Sequence, residues 1–141
     1  KAMVTATGRT KDGARTYHVR YTLTNTLTEA EQATCNWYIL GGVQSGVDGQ
    51  IVGGSGISVQ RMLFYAPAGG TIGDITSTGD VKDQRTTTMD GQNVTTNVAY
   101  LEPGKSVTFE FDVTTSTKAK TDLTIDQSPS GKMTNDVDYH Y

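Results

Sequence analysis

Cysteine, histidine, tryptophan and proline are all scarce in this sequence of 141 residues: one Cys, two His, one Trp and three Pro. A single cysteine, Cys35, leaves no internal disulfide to staple the fold. Two histidines, His18 and His140, are too few to build a zinc site with one cysteine. Neither has sequence support for a Ser-His-Asp or Cys-His arrangement, and both are expected to be ordinary surface residues. No apolar run approaches the roughly 20 residues that span a bilayer, which argues against membrane insertion. Basic clusters are missing too. With a net charge of −3 and scattered Lys and Arg, the chain lacks the electrostatic footprint that nucleic acid or an anionic membrane surface requires. No segment of ten or more residues shows helical periodicity.

What is present is threonine, the most frequent residue at about a sixth of the chain, together with 16 glycines. Thr is β-branched and suits a pleated, half-exposed surface, so the balance leans toward strands and turns. The length suits one domain that buries roughly two-thirds of its unfolded surface. Period-two alternation recurs. Tyr17, Val19, Tyr21 and Leu23 share one face, and His18, Arg20, Thr22 and Thr24 the other. Asp12-Gly13 is a turn signal, which places a preceding strand over Val4 to Thr10. Val107, Phe109, Phe111 and Val113 alternate with Thr108, Glu110 and Asp112 after the tight turn Leu101-Glu102-Pro103-Gly104-Lys105. Thr86 to Tyr100 reads as a hairpin about Asp90-Gly91.

Other segments are assigned from composition. Thr34 to Leu40 reads as a central strand, with Cys35, Trp37 and Ile39 on one face and Tyr38 and Leu40 on the other. Arg61 to Ala66 reads as a compact apolar strand, and Ile72 to Thr76 as a short one. Gly41 to Gly56 is expected to be a mobile connection or loosely paired ribbon, and Gly79 to Gln84 a polar loop. Leu123 and Ile125 mark another strand, broken by Pro129 and Gly131. Val137, Tyr139 and Tyr141 alternate at the end. The sum is roughly eight to ten short strands in an all-β, two-sheet antiparallel sandwich.

Two segments carry a resemblance. Tyr21-Thr22-Leu23-Thr24-Asn25-Thr26 resembles the second strand of bacterial immunoglobulin-like surface domains, and Leu101-Glu102-Pro103-Gly104-Lys105-Ser106-Val107-Thr108-Phe109 resembles their Pro-Gly turn and following strand. Leu63-Phe64-Tyr65-Ala66-Pro67-Ala68-Gly69-Gly70, followed by a short strand, a polar loop and the hairpin, is similar to the C-terminal β-rich part of actinobacterial envelope proteins of unknown function, the domain-of-unknown-function 4012 family. The likeness covers about Tyr17 to Ser130. It implies an immunoglobulin-like sandwich in an extracellular or cell-surface protein, secreted or membrane-tethered, of a Gram-positive cell. It brings no catalytic residue. The chain is then expected to be one domain, a fragment of a longer protein.

The candidate chemical groups weigh against catalysis and against a metal or other cofactor. Cys35 lies two residues from Trp37 on the same predicted face and reads as a small buried hydrophobe. Asp136 with Asp138, and Asp80 with Asp83, lack the ligand spacing of a calcium loop. Glu110 and Asp112 are near enough for a glycosidase pair, but a solvated sheet face explains them. Gly53-Gly54-Ser55-Gly56 has no following helix or Lys-Ser pair to make a phosphate loop. Asn93-Val94-Thr95 matches a glycosylation sequon that means little in a bacterial chain. An intramolecular Lys–Asn isopeptide bond would show as the loss of one ammonia from the intact mass, but no Lys or Asn sits clearly inward. Aromatics remain. Tyr38, Tyr65 and Tyr100 are the candidate contact residues, since their strands look apolar on both sides. They would pack against another domain of the parent protein or a cell-envelope component, or form a platform for sugar rings.

Overall fold

The computed structural model describes residues 1–46, 48–129 and 136–141. Strand β1 (Ala2–Arg9) turns at Asp12-Gly13 into β2 (Arg15–Thr24). Gly13 takes φ +91, a value that L side chains rarely adopt, and its N–H donates to the Thr10 carbonyl at 3.0 Å. The register sets Val4 opposite Val19. Strand β10 (Ser106–Thr114) lies antiparallel on the other side of β2. The short β6 (Thr71–Ile72) and β7 (Thr76–Ser77) both pair with β10, and β11 (Val137–His140) runs parallel to β1 at the far edge. A second sheet has the order β5-β9-β8, with β5 (Ser58–Tyr65), β8 (Asp80–Met89) and β9 (Gln92–Leu101).

Alternation decides which faces meet. Tyr17, Val19, Val107, Phe109, Phe111 and Val113 turn inward from the first sheet and are buried. Met62, Phe64, Ala99 and Leu101 join them from the second. Phe64 is the clasp: its ring centre lies 5.2 Å from those of Phe109 and Phe111, within the range where tilted and edge contacts are favourable. The outward pairs of β2 and β10 are complementary at every step. Arg20 meets Glu110 at 2.8 Å, His18 meets Asp112 at 2.9 Å, Thr22 meets Thr108 at 3.0 Å and Thr24 meets Ser106 at 2.7 Å. A one-residue slip would bury these groups and expose the aromatics, so the register is fixed from both sides.

The Asp90-Gly91 hairpin forms as expected. Both residues have positive φ, +49 and +76, as a two-residue turn between right-twisted strands requires. Gly41 to Gly56 holds a small ribbon, β3 (Val43–Gln44) with β4 (Ile51–Val52).

Four expectations are corrected. Ile72 to Thr76 is not one strand: β6 and β7 pair with β10 separately, and the Gly73 N–H instead donates to the Asp112 carbonyl at 2.8 Å in the stretch between them. Thr34 to Leu40 is not a strand. Thr28 caps the helix α1 (Glu29–Thr34) with its side chain while Glu31 reaches back to the Thr28 N–H, a reciprocal cap that nucleates a helix otherwise too short to hold. The Asn36 carboxamide then accepts from the Tyr38 N–H at 2.9 Å, and the chain turns instead of extending. Cys35 is accordingly half-buried, not buried. Gly79 to Gln84 is not a loop from end to end, because Asp80 opens β8. Its polarity belongs to an edge strand, where charge discourages further pairing, and a bulge between Lys82 and Arg85 puts Asp83 at φ +56. Leu123 and Ile125 lie outside any strand, yet both pack against the core. Their segment is pinned by side chains: Asp122 accepts from the Tyr17 hydroxyl at 2.9 Å and from Arg15 at 2.6 Å, and the Tyr139 hydroxyl accepts from the Ile125 N–H at 3.0 Å. Gly131 lies outside the described residues.

One interior position is out of keeping. Asn97 is 1 % exposed, and both ends of its carboxamide lack a hydrogen-bond partner among the described residues. It faces inward opposite Met62.

Three outcomes follow for equilibrium denaturation. Phe109→Ala is expected to cost about 3–5 kcal/mol, while Glu110→Ala, which opens an exposed pair, costs less than about 1 kcal/mol. Asn97→Leu is expected to raise the denaturation midpoint, because an unpaired buried amide costs about 1–3 kcal/mol.

Candidate functional site

The groups that could carry chemistry are occupied with one another. His18 sits on the outer face of the first sheet against Asp112, and Glu110 holds Arg20. The two carboxylates that qualify by distance as a glycosidase pair thus each face a basic side chain on an open sheet surface. Asp136 and Asp138 both face the Lys1 ammonium, at 3.9 and 3.0 Å. That hydrogen bond and charge hold the Asp138 carboxyl below its ordinary range and raise Lys1 above its own. Asp80 pairs with Lys82 at 3.6 Å, and Asp83 stands at the bulge. Among the described residues no three His, Cys, Asp or Glu side chains converge on a point where an ion could sit. Every described lysine is exposed, so none of them stands beside Asn97 in the core. A cleft of about 210 Å³ lies between Ile72, Ile75, Gln84 and Thr95, and the Thr95 hydroxyl is paired with that of Thr86.

The surfaces are more informative. The second sheet turns Val59, Arg61, Leu63 and Tyr65 of β5 outward. Beside them stand Tyr100, Val98, Thr96 and Val94 of β9, and then Asp80, Lys82, Arg85 and Thr87 of β8. Val59 is 55 % exposed, Leu63 40 %, Tyr65 50 % and Met89, at the end of β8, 43 %. The Tyr65 hydroxyl approaches the Met89 sulfur at 4.0 Å. Lys82 lies over the Tyr100 ring, 4.9 Å from its centre. The face is apolar along its middle, with Arg61, Lys82 and Arg85 against a single acid, Asp80. The outer face of the first sheet, by contrast, carries Thr pairs and ion pairs.

The three tyrosines do not converge. Tyr65 and Tyr100 share the outer face but stand at opposite ends of it: Tyr65 pairs with Val94, six residues before Tyr100, a separation of about 20 Å at the rise of a strand. Tyr38 belongs elsewhere. It is 72 % exposed on the lobe formed by α1 and the β3-β4 ribbon, beside Ile39 at 71 %. Trp37 lies edge-on to Tyr38, the rings 88° apart, and packs over glycine. A Cβ on Gly42 would fall 2.8 Å from the Trp37 carbonyl oxygen, so the ribbon must be bare there. Gln32 ties the lobe together by donating to the Ser55 carbonyl at 2.8 Å.

Sequence reasoning missed the exposure of Trp37, Val59, Leu63 and Met89. The signal for the lobe was the Thr28-x-x-Glu31 spacing of a capping box. The signal for the sheet face was β5 itself, which is apolar at odd positions (Val59, Leu63, Tyr65) and at even ones (Met62, Phe64).

The lobe carries its own acid sensitivity. Hydrogen bonds from the Thr28 N–H and hydroxyl depress the Glu31 carboxyl. A depressed carboxylate adds stability above its unfolded value and loses it as pH falls through the folded one. Trp37, the only tryptophan, is expected to show an emission change as pH falls through and below the usual carboxyl range, and Glu31→Gln, which removes the titrating group, is expected to abolish that step. No family model matches the sequence, and neither the curated proteins nor the solved structures offer a match to it.

Proposed function

We propose that this chain is a non-catalytic interaction module: an immunoglobulin-like β-sandwich of a bacterial cell-surface or extracellular protein, contacting another protein domain through the outer face of its three-stranded sheet. The observation that carries the reading is the contrast between the two outer faces. One is closed by Thr and ion pairs, whereas the other leaves Val59, Leu63, Tyr65 and Met89 in water. Exposed apolar side chains gathered on one sheet face mark interaction sites. The excess of Arg and Lys on it, in a chain of net charge −3, favours a partner surface that is apolar and acid-rimmed. The resemblance of the Leu63 to Gly70 segment and the Pro-Gly turn to envelope proteins supports the location, and another domain of the parent protein or an envelope component as the partner.

A carbohydrate-binding module is the alternative. Sugar rings stack on coplanar, adjacent aromatic faces. Trp37 and Tyr38 are perpendicular, and Tyr65 and Tyr100 are at opposite ends of the sheet. At these four residues the geometry therefore favours a protein partner.

Oxidative footprinting discriminates the readings. Met89 and Tyr65 are expected to label readily in the isolated chain and to be protected in the parent protein on intact cells. Equal labelling in the two states would sink the protein-contact reading. A glycan array hit abolished by Tyr65→Ala would put the carbohydrate reading in its place.

A further inference from the structure

The same sheet has a second open feature, its β5 edge, which is a matter of backbone and not of the apolar face. Among the described residues, strand β5 is hydrogen-bonded only to β9. The Ala66 N–H donates to the Asn93 carbonyl at 3.0 Å, and this fixes the phase of the ladder. Even-numbered residues of β5 turn their N–H and C=O groups to β9. Val59, Arg61, Leu63 and Tyr65 turn theirs to the open side, where no strand pairs with them among the described residues.

Other edges are defended. β8 has Asp80, Lys82, Asp83 and Arg85 and a bulge at its middle. β11 is four residues long, with Asp138 engaged by Lys1. β6 and β7 are two residues each. β5 has eight residues, an unbroken register and one charge, Arg61. Long, flat, lightly charged edges are templates for another strand. The core is open along the same edge: Met62 and Phe64 face inward yet are only partly buried, and Gln60 beside them is exposed.

We propose that β5 pairs antiparallel with β5 of a second copy of this chain, about a two-fold axis at Leu63. The sequence of β5 is self-complementary in that register. Leu63 meets its own counterpart, Met62 meets Phe64 of the second copy on the core side, and Arg61 meets Tyr65 on the outer side, cation over ring. An axis at Arg61 instead would set like charges opposite one another, which is unfavourable. Pairing at Leu63 joins two three-stranded sheets edge to edge, closes the open side of both cores and makes their outer apolar faces one surface. The inference goes beyond the face contact proposed above and stands or falls separately from it.

Sedimentation equilibrium tests it. The native chain is expected to rise with concentration from 15.1 kDa toward twice that mass. Leu63→Pro removes an N–H from the open side and none from the β9 ladder, a place where an edge strand tolerates proline. It is expected to remain a single chain with an unchanged far-ultraviolet spectrum. A second variant guards against misfolding. In a Cys35→Ser background, Leu63→Cys is expected to cross-link on mild oxidation, because Cα atoms of a hydrogen-bonded antiparallel pair lie about 5.5 Å apart, within disulfide reach. Arg85→Cys, on the opposite edge, is expected not to. A native chain that stays at single mass over the whole concentration range, or a dimer in which position 63 fails to cross-link, overturns the proposal. A monomer whose Met89 is still protected on cells would remove the edge pairing and leave the face contact standing.

Discussion

The pairing of β2 with β10 is the constraint on which the rest of the molecule depends. It joins chain segments some 90 residues apart, with Phe111 opposite Val19 and Phe109 opposite Tyr21. One register serves both faces of this pair. Inward, it assembles the aromatic and aliphatic layer that the second sheet must cover. Outward, it sets Arg20 on Glu110, His18 on Asp112 and Thr22 on Thr108. The individual surface pairs add little free energy each. Their combined effect is to make the slipped alternatives bad, because every slip trades a buried ring for a buried charge.

From this pair the other elements follow by attachment. β1 extends the sheet through the Asp12-Gly13 turn, and β6 and β7 lean on the far side of β10. The second sheet is held chiefly by what Phe64, Ala99 and Leu101 bury on it. Three strands are narrower than the sheet they cover. The uncovered part is filled by Leu123 and Ile125, in a segment that has no ladder of its own and is pinned by Asp122, Tyr17 and Tyr139. Opposite β9, β5 ends the layer with partly exposed core residues. The shortage of cover and the presence of an open strand edge are thus one structural fact.

Legibility in the sequence followed burial asymmetry. Val107 to Val113 and Tyr17 to Leu23 were readable because one face meets the core and the other meets water, and the solvent leaves its period in the residues. Thr34 to Leu40 defeated that reasoning. Trp37, Tyr38 and Ile39 lie on a solvent-facing lobe, and the local reciprocal cap between Thr28 and Glu31 outweighs the strand pattern. The first half of β8 was hidden for the opposite reason: an edge strand full of charge resembles a loop. Of the candidate contact residues, the exposure of Tyr38 and Tyr65 was legible. Their separation was not, since it depends on which strands neighbour which.

By itself the sequence determined that the chain is mostly β, where its tight turns fall at Gly13, Asp90-Gly91 and Pro103-Gly104, and which side of β2 and β10 faces inward. These are local matters: the φ that glycine allows and the two-residue period of a strand. Tertiary structure alone decided that the segment around Trp37 is a lobe, that Asn97 is enclosed without a partner among the described residues, and that β5 lies at an edge with Leu63 in the open. Those outcomes depend on strand order, and strand order is fixed by contacts between residues far apart in the chain, which no local pattern records.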